Sequence, residues 1–164
     1  MDREKILSTV KQNRREKNIC LIFPGLYQGN YYGAIDKEKL DLLGISVILN
    51  CGANKYETDR IYLRVDLEDS VDANLLKILP QVTAFIHEHL MKEEKVYVHC
   101  KGGFSRSPSV VIAYLIEYKK FTLEEALQFV KNRNPKTKPN FGFLAQLETY
   151  QEKISKNHRI NLIN

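Results

Sequence analysis

The chain has 164 residues, 43% of them hydrophobic and 27% charged. That balance supplies one core of ordinary size and excludes wholesale disorder. The net charge of +5 is concentrated in residues 1–18 and 153–164, while the stretch between them is close to neutral, so the basic balance argues against a nucleic-acid-binding face.

In chain order, residues 1–18 read as a charged extension, with Ile6, Leu7 and Val10 at helical spacing. No secretory signal is expected in MDREKILSTV. Asp2 stands where myristoylation needs glycine, and no prenylation box closes the chain. Ile19–Phe23 and Leu26–Gln28 read as short strands around a Pro24-Gly25 turn. Asp36–Leu43 reads as a helix stopped by Gly44, and Ile45–Asn50 as a buried β-branched strand. Ile61–Val65 is a further strand. A helix follows through Leu75, Leu79, Val82, Phe85, Ile86 and Leu90, and Pro80 is expected to kink it or to begin its regular part. Val96–His99 reads as a strand, and Val110–Ile116 is apolar on every face, as in a buried helix. That run is the longest apolar one and too short to span a bilayer. Thr122 and Glu125 form a capping box, and Phe143, Leu147, Tyr150 and Ile154 imply a last helix. The domain is expected over 19–155, with a basic tail over 156–164. Strands alternating with helices predict an α/β fold. Cys20, Cys51 and Cys100 are an odd number at unrelated spacings, which suits neither a disulfide framework nor a zinc site. A reducing, cytoplasmic or nuclear setting is expected.

The informative segment is VYVHCKGGFSRSPSVVIAYLI, residues 96–116. A strand ends at His99-Cys100, two glycines follow, and a helix begins near Arg106–Pro108, where Pro108 suits the first turn. A loop entering a helix N-terminus offers unpaired N–H donors and partial positive charge, which suit a phosphate. Such a loop lies beyond the carboxyl ends of the strands, where open α/β sheets bind ligands. Cys100 stands at its mouth. A thiol is only a few per cent ionised at neutral pH, and a helix N-terminus with nearby cations raises the thiolate fraction. The planar fork of Arg106 can hold two phosphate oxygens at once. Ser107 can donate to the sulfur, and His99 can fix the loop through the backbone. Lys101, Gly102, Gly103, Phe104 and Ser105 complete the cradle.

HCKGGFSRS resembles the His-Cys-x5-Arg-Ser/Thr loop of cysteine-based protein tyrosine phosphatases, and more closely that of the small dual-specificity phosphatases, HCxAGxSRS. Gly102 stands in place of the usual alanine. The resemblance runs from about Ile22 to Ile154 and takes in FPGLYQGN, ILNCGAN and KPNFGFLAQL. It implies a central, mostly parallel sheet of four to five strands flanked by helices. It also implies hydrolysis of phosphotyrosine and phosphoserine/phosphothreonine in protein substrates through a phosphocysteine. The chain is too short for the loop that deepens the pocket in tyrosine-only enzymes and lacks room for a kinase-docking domain, so a shallower site is implied. No cofactor or metal is expected, because Arg106 and the loop amides supply the electrostatic stabilisation.

Expulsion of the leaving oxygen is fast only with a positioned acid. Four acids crowd one loop: Asp66, Glu68, Asp69 and Asp72. In the family the acid precedes an Asn-Leu pair and a helix, and counting back from Asn74-Leu75 the resemblance implies Asp69. Asp72 reads as a helix cap, while Asp66 and Glu68 read as solvated or capping. Some relatives also pair the nucleophile with a second cysteine under oxidation, which makes Cys51 the implied redox partner. Cys20 reads as structural. His87 and His89 lie two apart on a helix and cannot share one ion, so both read as surface residues. Lys101 matches the first of two lysines in the phosphoinositide phosphatases, but Phe104 replaces the second. A lipid phosphatase and a binding-only pseudophosphatase are the alternatives to a protein phosphatase.

Overall fold

This computed structural model describes residues 18–163. The expected N-terminal amphipathic helix lies outside them, apart from Asn18. Five strands, β1 (Ile19–Phe23), β2 (Leu26–Gly29), β3 (Ile45–Cys51), β4 (Ile61–Val65) and β5 (Lys95–His99), form one sheet in the order β1-β2-β5-β3-β4. Only β1 and β2 pair antiparallel; all other neighbours are parallel. The mostly parallel sheet agrees with the expectation from the sequence.

Six helices complete the described chain: α1 (Tyr31–Ala34), α2 (Lys37–Leu43), α3 (Leu75–Met91), α4 (Arg106–Lys119), α5 (Leu123–Arg133) and α6 (Phe141–Ile163). They divide between the two faces of the sheet, as parallel crossovers require. On one face Val47, Leu49, Val96 and Val98 pack against α3, α4, α5 and α6. On the other, Ile48 and Tyr97 meet Ala34 of α1 and Leu40 of α2. Val110–Ile116 is buried along its whole length within α4, which explains its unbroken apolar run. Burying each large aliphatic side chain there contributes roughly 1.5–3 kcal/mol.

Local signals account for most boundaries. Asp36 caps α2 by accepting from the Lys39 amide, and Gly44 ends it at φ 72°. The Thr122–Glu125 capping box opens α5. Pro80 neither breaks nor begins α3, which runs through it from Leu75; the proline is exposed. Its missing N–H frees one carbonyl a turn earlier, which only one helix turn has to absorb. Asp72 is not the cap of this helix. Asn74 takes that place, its side chain accepting from the Lys77 amide at 3.1 Å, while Asp72 remains in the exposed turn before it. The tail read over 156–164 continues α6 as helix through Ile163.

Candidate active site

The parallel strands end together. Gly29 of β2 and Asn50 of β3 both pair with His99 of β5, and Cys51 pairs with Val65 of β4. The chain leaves β5 at this edge, turns through residues 100–105 and enters α4. Cys100 therefore stands over the middle of the sheet, at the N-terminus of a buried helix.

The turn closes around the Cys100 sulfur. The Gly103 amide donates to Sγ at 3.2 Å, and the Ser107 hydroxyl lies 3.2 Å from it. Gly103 adopts φ 77°, and a Cβ there would sit 2.9 Å from the Gly29 carbonyl group, so only glycine fits. Ser105 is buried, and its hydroxyl accepts from the Asn140 amide at 3.0 Å. Lys101 and Phe104 are exposed, while its own carbonyl ties Lys101 to the Tyr31 amide. The Phe104 ring lies over Gly102, where an added Cβ would come within 2.3 Å of it. Glycine at 102 is what lets this aromatic lie down.

Arg106 is half-buried and donates from Nη1 to the carbonyls of Gly52 and Leu67, at 3.0 and 3.2 Å. A guanidinium has five N–H donors, and these bonds use two of them. The arginine thus joins three segments: its own loop, the end of β3 and the acidic loop. Gly52 makes this possible. Its φ is 94°, and a Cβ would lie 2.0 Å from the Leu67 oxygen.

His99 has no exposed surface. Its Nδ1 donates to the Cys100 carbonyl at 3.1 Å, so Nε2 accepts from the Tyr56 hydroxyl at 2.7 Å. A carbonyl can only accept, and this fixes the neutral tautomer. Burial, with the Arg106 charge adding to it and the Cys100 carbonyl opposing, pushes the imidazole down to about 4. The expected backbone contact of His99 is present, with Tyr56 as its unforeseen partner.

Of the four acids, Asp69 is held by a neighbour from across the site: the Asn140 side-chain amide donates to its carboxylate at 3.0 Å. Asn140 also caps α6 by accepting from the Phe143 amide at 2.9 Å. One residue therefore connects the acid, the Ser105 hydroxyl and a helix start. Asp66 pairs instead with Arg64 at 2.9 Å. Glu68 is exposed and borders a cavity of about 870 Å³ that Asp66, Gly52 and Arg106 also line.

Residues 26–153 match the family described as dual specificity phosphatase, catalytic domain. The chain belongs to this family. It is 32% identical over 145 residues to the tyrosine-protein phosphatase vhp-1 of Caenorhabditis elegans, covering 85% of this chain and 22% of that protein. It is 38% identical over 136 residues to human dual specificity protein phosphatase 5, covering 81% of this chain and 35% of the other. The chain thus spans well under half the length of these curated relatives. The crystal structure of a mouse dual specificity phosphatase complexed with zinc tungstate superposes with a TM-score of 0.83 at 30% identity, covering 87% of this chain and 91% of that one.

Two buried residues of this dual-specificity domain support the loop with no motif for that role in the sequence: Gln28 lies inside FPGLYQGN, and Asn134 lies in no quoted segment. Gln28 Nε2 donates to the Ser107 hydroxyl at 2.8 Å and to the Gly103 carbonyl at 2.9 Å. Its Oε1 accepts from Asn134 Nδ2 at 2.8 Å. A polar residue at an inward strand position was the available signal: Gln28 interrupts the apolar run of β2. Cys51 follows Asn50 as Cys100 follows His99, and both cysteines belong to the same face of the sheet. Burial pushes the Cys51 thiol up. Cys20 is half-buried and packs against the core. His89 is buried rather than at the surface, because it packs edge-on to Phe85 one turn earlier and its Nδ1 lies 3.4 Å from the Glu94 carboxylate beyond the helix end; His87 stacks on Tyr118. Among the described residues no group of three His, Cys, Asp or Glu side chains is placed to hold a metal ion, and no helix is long and apolar enough to cross a membrane.

Proposed function

We propose that the chain is a protein phosphatase that hydrolyses phosphotyrosine and phosphoserine or phosphothreonine esters through a phosphocysteine on Cys100. The observation that carries this reading is the closure of the loop on the sulfur: a main-chain amide and a hydroxyl converge on Cys100 Sγ at the start of α4. The family match supports it.

In the first step the Cys100 thiolate attacks phosphorus. The S–P bond forms, the bond from phosphorus to the leaving oxygen breaks, and Asp69 gives that oxygen its proton. The loop amides and Arg106 neutralise the charge on the remaining oxygens, and the helix N-terminus adds to their field. Arg106 would keep its carbonyl bonds with one Nη while its other donors meet the anion. In the second step the Asp69 carboxylate takes a proton from water, the water oxygen bonds to phosphorus, and the S–P bond breaks. Inorganic phosphate leaves and the thiolate is restored. Ser107 donates to the sulfur as it leaves.

The test is hydrolysis of an aryl phosphate, phosphopeptides and phosphoinositide vesicles by the wild-type chain and two variants. Cys100→Ser should abolish turnover and still bind phosphopeptide. Asp69→Ala should lower kcat by about 10²–10⁴ with little change in KM. Full activity in Cys100→Ser would overturn the covalent route. Turnover of phosphoinositides with all phosphopeptides inert would move the assignment to lipids, and inert wild-type protein would leave a binding module.

A further inference from the structure

Beside Asp69 runs a groove of about 430 Å³, bounded by the phosphate loop, the acidic loop, α5 and the start of α6. Its apolar wall comes from Val71, Phe104, Leu127, Phe141 and Leu144. Three of these are strongly exposed: Phe141 at 83%, Val71 at 56% and Phe104 at 45%. Lys131 and Lys138, both exposed, stand in the same lining.

We propose that this groove is a substrate subsite for a large apolar side chain flanking the phosphorylated residue, in a peptide with an acidic residue beside it. The inference rests on the phosphatase reading and extends it to the sequence around the phosphate.

Continuity with the reacting centre is the first reason. Asp69 is itself part of the groove wall, and an acid acts only within hydrogen-bond reach of the oxygen it protonates. The substrate chain therefore leaves the phosphate at the end of the groove. An extended peptide advances about 3.3–3.6 Å per residue, so residues one to three positions away cross the apolar wall. The volume lies within the range of sites that hold small organic groups. Glycine at 102 contributes directly, because the Phe104 ring reclines over it and offers a flat aromatic surface. The charge is complementary too: Asp69, engaged with Asn140, is the one carboxylate in the lining against two lysines. An acidic neighbour in the peptide would meet Lys131 or Lys138, whereas a basic one would be repelled.

The experiment measures kcat/KM for phosphotyrosine peptides in which each of the three residues on either side is Leu, Phe or Ala and one neighbour is Glu or Gln. A small aryl phosphate that ends short of the groove is the control. At one flanking position Leu or Phe should exceed Ala by about tenfold, the scale of one apolar contact in a fitted pocket. Phe141→Ala and Leu127→Ala should each reduce that preference at least threefold and leave aryl phosphate turnover within twofold. Lys131→Glu combined with Lys138→Glu should slow the Glu peptides and spare the Gln peptides. Peptides turned over with no position preferring Leu or Phe by more than twofold would overturn the subsite while the phosphatase reading stands. So would a preference that survives both apolar variants. An inactive wild-type protein on the aryl phosphate would instead overturn the underlying reading, and the subsite with it.

Discussion

Gln28 Nε2 donates to Ser107 Oγ across 2.8 Å inside the protein, where neither residue has exposed surface. The same hydroxyl lies 3.2 Å from both the Cys100 sulfur and the Gly29 carbonyl. A hydroxyl has one proton to give. With a lone pair committed to Gln28, Ser107 has its proton for the carbonyl or the sulfur, and a thiolate is the stronger acceptor. Gln28 is thus a positioning residue for the donor to sulfur.

Replacing Gln28 by leucine should lower kcat/KM and cost about 1–3 kcal/mol of stability, because the Asn134 amide loses one of its two buried acceptors and keeps only the Gly103 carbonyl. The discriminating measurement is a double-mutant cycle. In a Ser107→Ala background the same change should have little further effect on kcat/KM. Independent, additive losses would show that Gln28 supports only the fold.

Acid should destabilise the protein through His99. Its folded value of about 4 lies below the ordinary 6.5 of histidine, so the unfolded chain binds a proton over a range in which the folded one does not. Stability conferred by the neutral ring is complete above pH 6.5 and is lost as the pH falls toward 4, by about 3 kcal/mol in all. Urea titrations at intervals between pH 7 and 4 should show this slope in the wild type and lose that part of it in His99→Gln, whatever the variant's stability at pH 7. Parallel curves would remove His99 as the source.

Oxidation should join Cys51 to Cys100. Neighbouring parallel strands run about 4.7–4.9 Å apart, and the two cysteines occupy adjacent positions on one face, within the Cα separation of about 4.4–6.8 Å that a disulfide spans. Peroxide followed by mass mapping should find the bond and recover activity on reduction, while Cys51→Ser should be inactivated irreversibly. A free Cys51 beside an over-oxidised Cys100 would end the idea.

The sequence displays those parts of the molecule whose cause is local. The sheet strands, the capping box at Thr122 and the Cys100–Arg106 loop each follow from residues within a few positions of one another. What it conceals depends on partners far along the chain. Gln28 meets Ser107 across 79 residues and Asn140 meets Asp69 across 71; neither spacing carries a period or a cap. Gly52 belongs to the ILNCGAN segment, but nothing near it in sequence shows that the Leu67 carbonyl excludes a side chain there. Between Asp72 and Asn74 the choice of cap was equally local, but both residue types cap well, and propensity alone does not separate them.

The strand that delivers Cys100 is the third of five, with a neighbour hydrogen-bonded along each edge. Its amides are expected to exchange with solvent only when the entire sheet comes apart, at the top of the ladder of opening free energies. The Cys100 loop is therefore expected to be tied to the most slowly exchanging part of the protein, and partial fraying at β1, the edge away from the Arg106–Leu67 contact, would leave it standing.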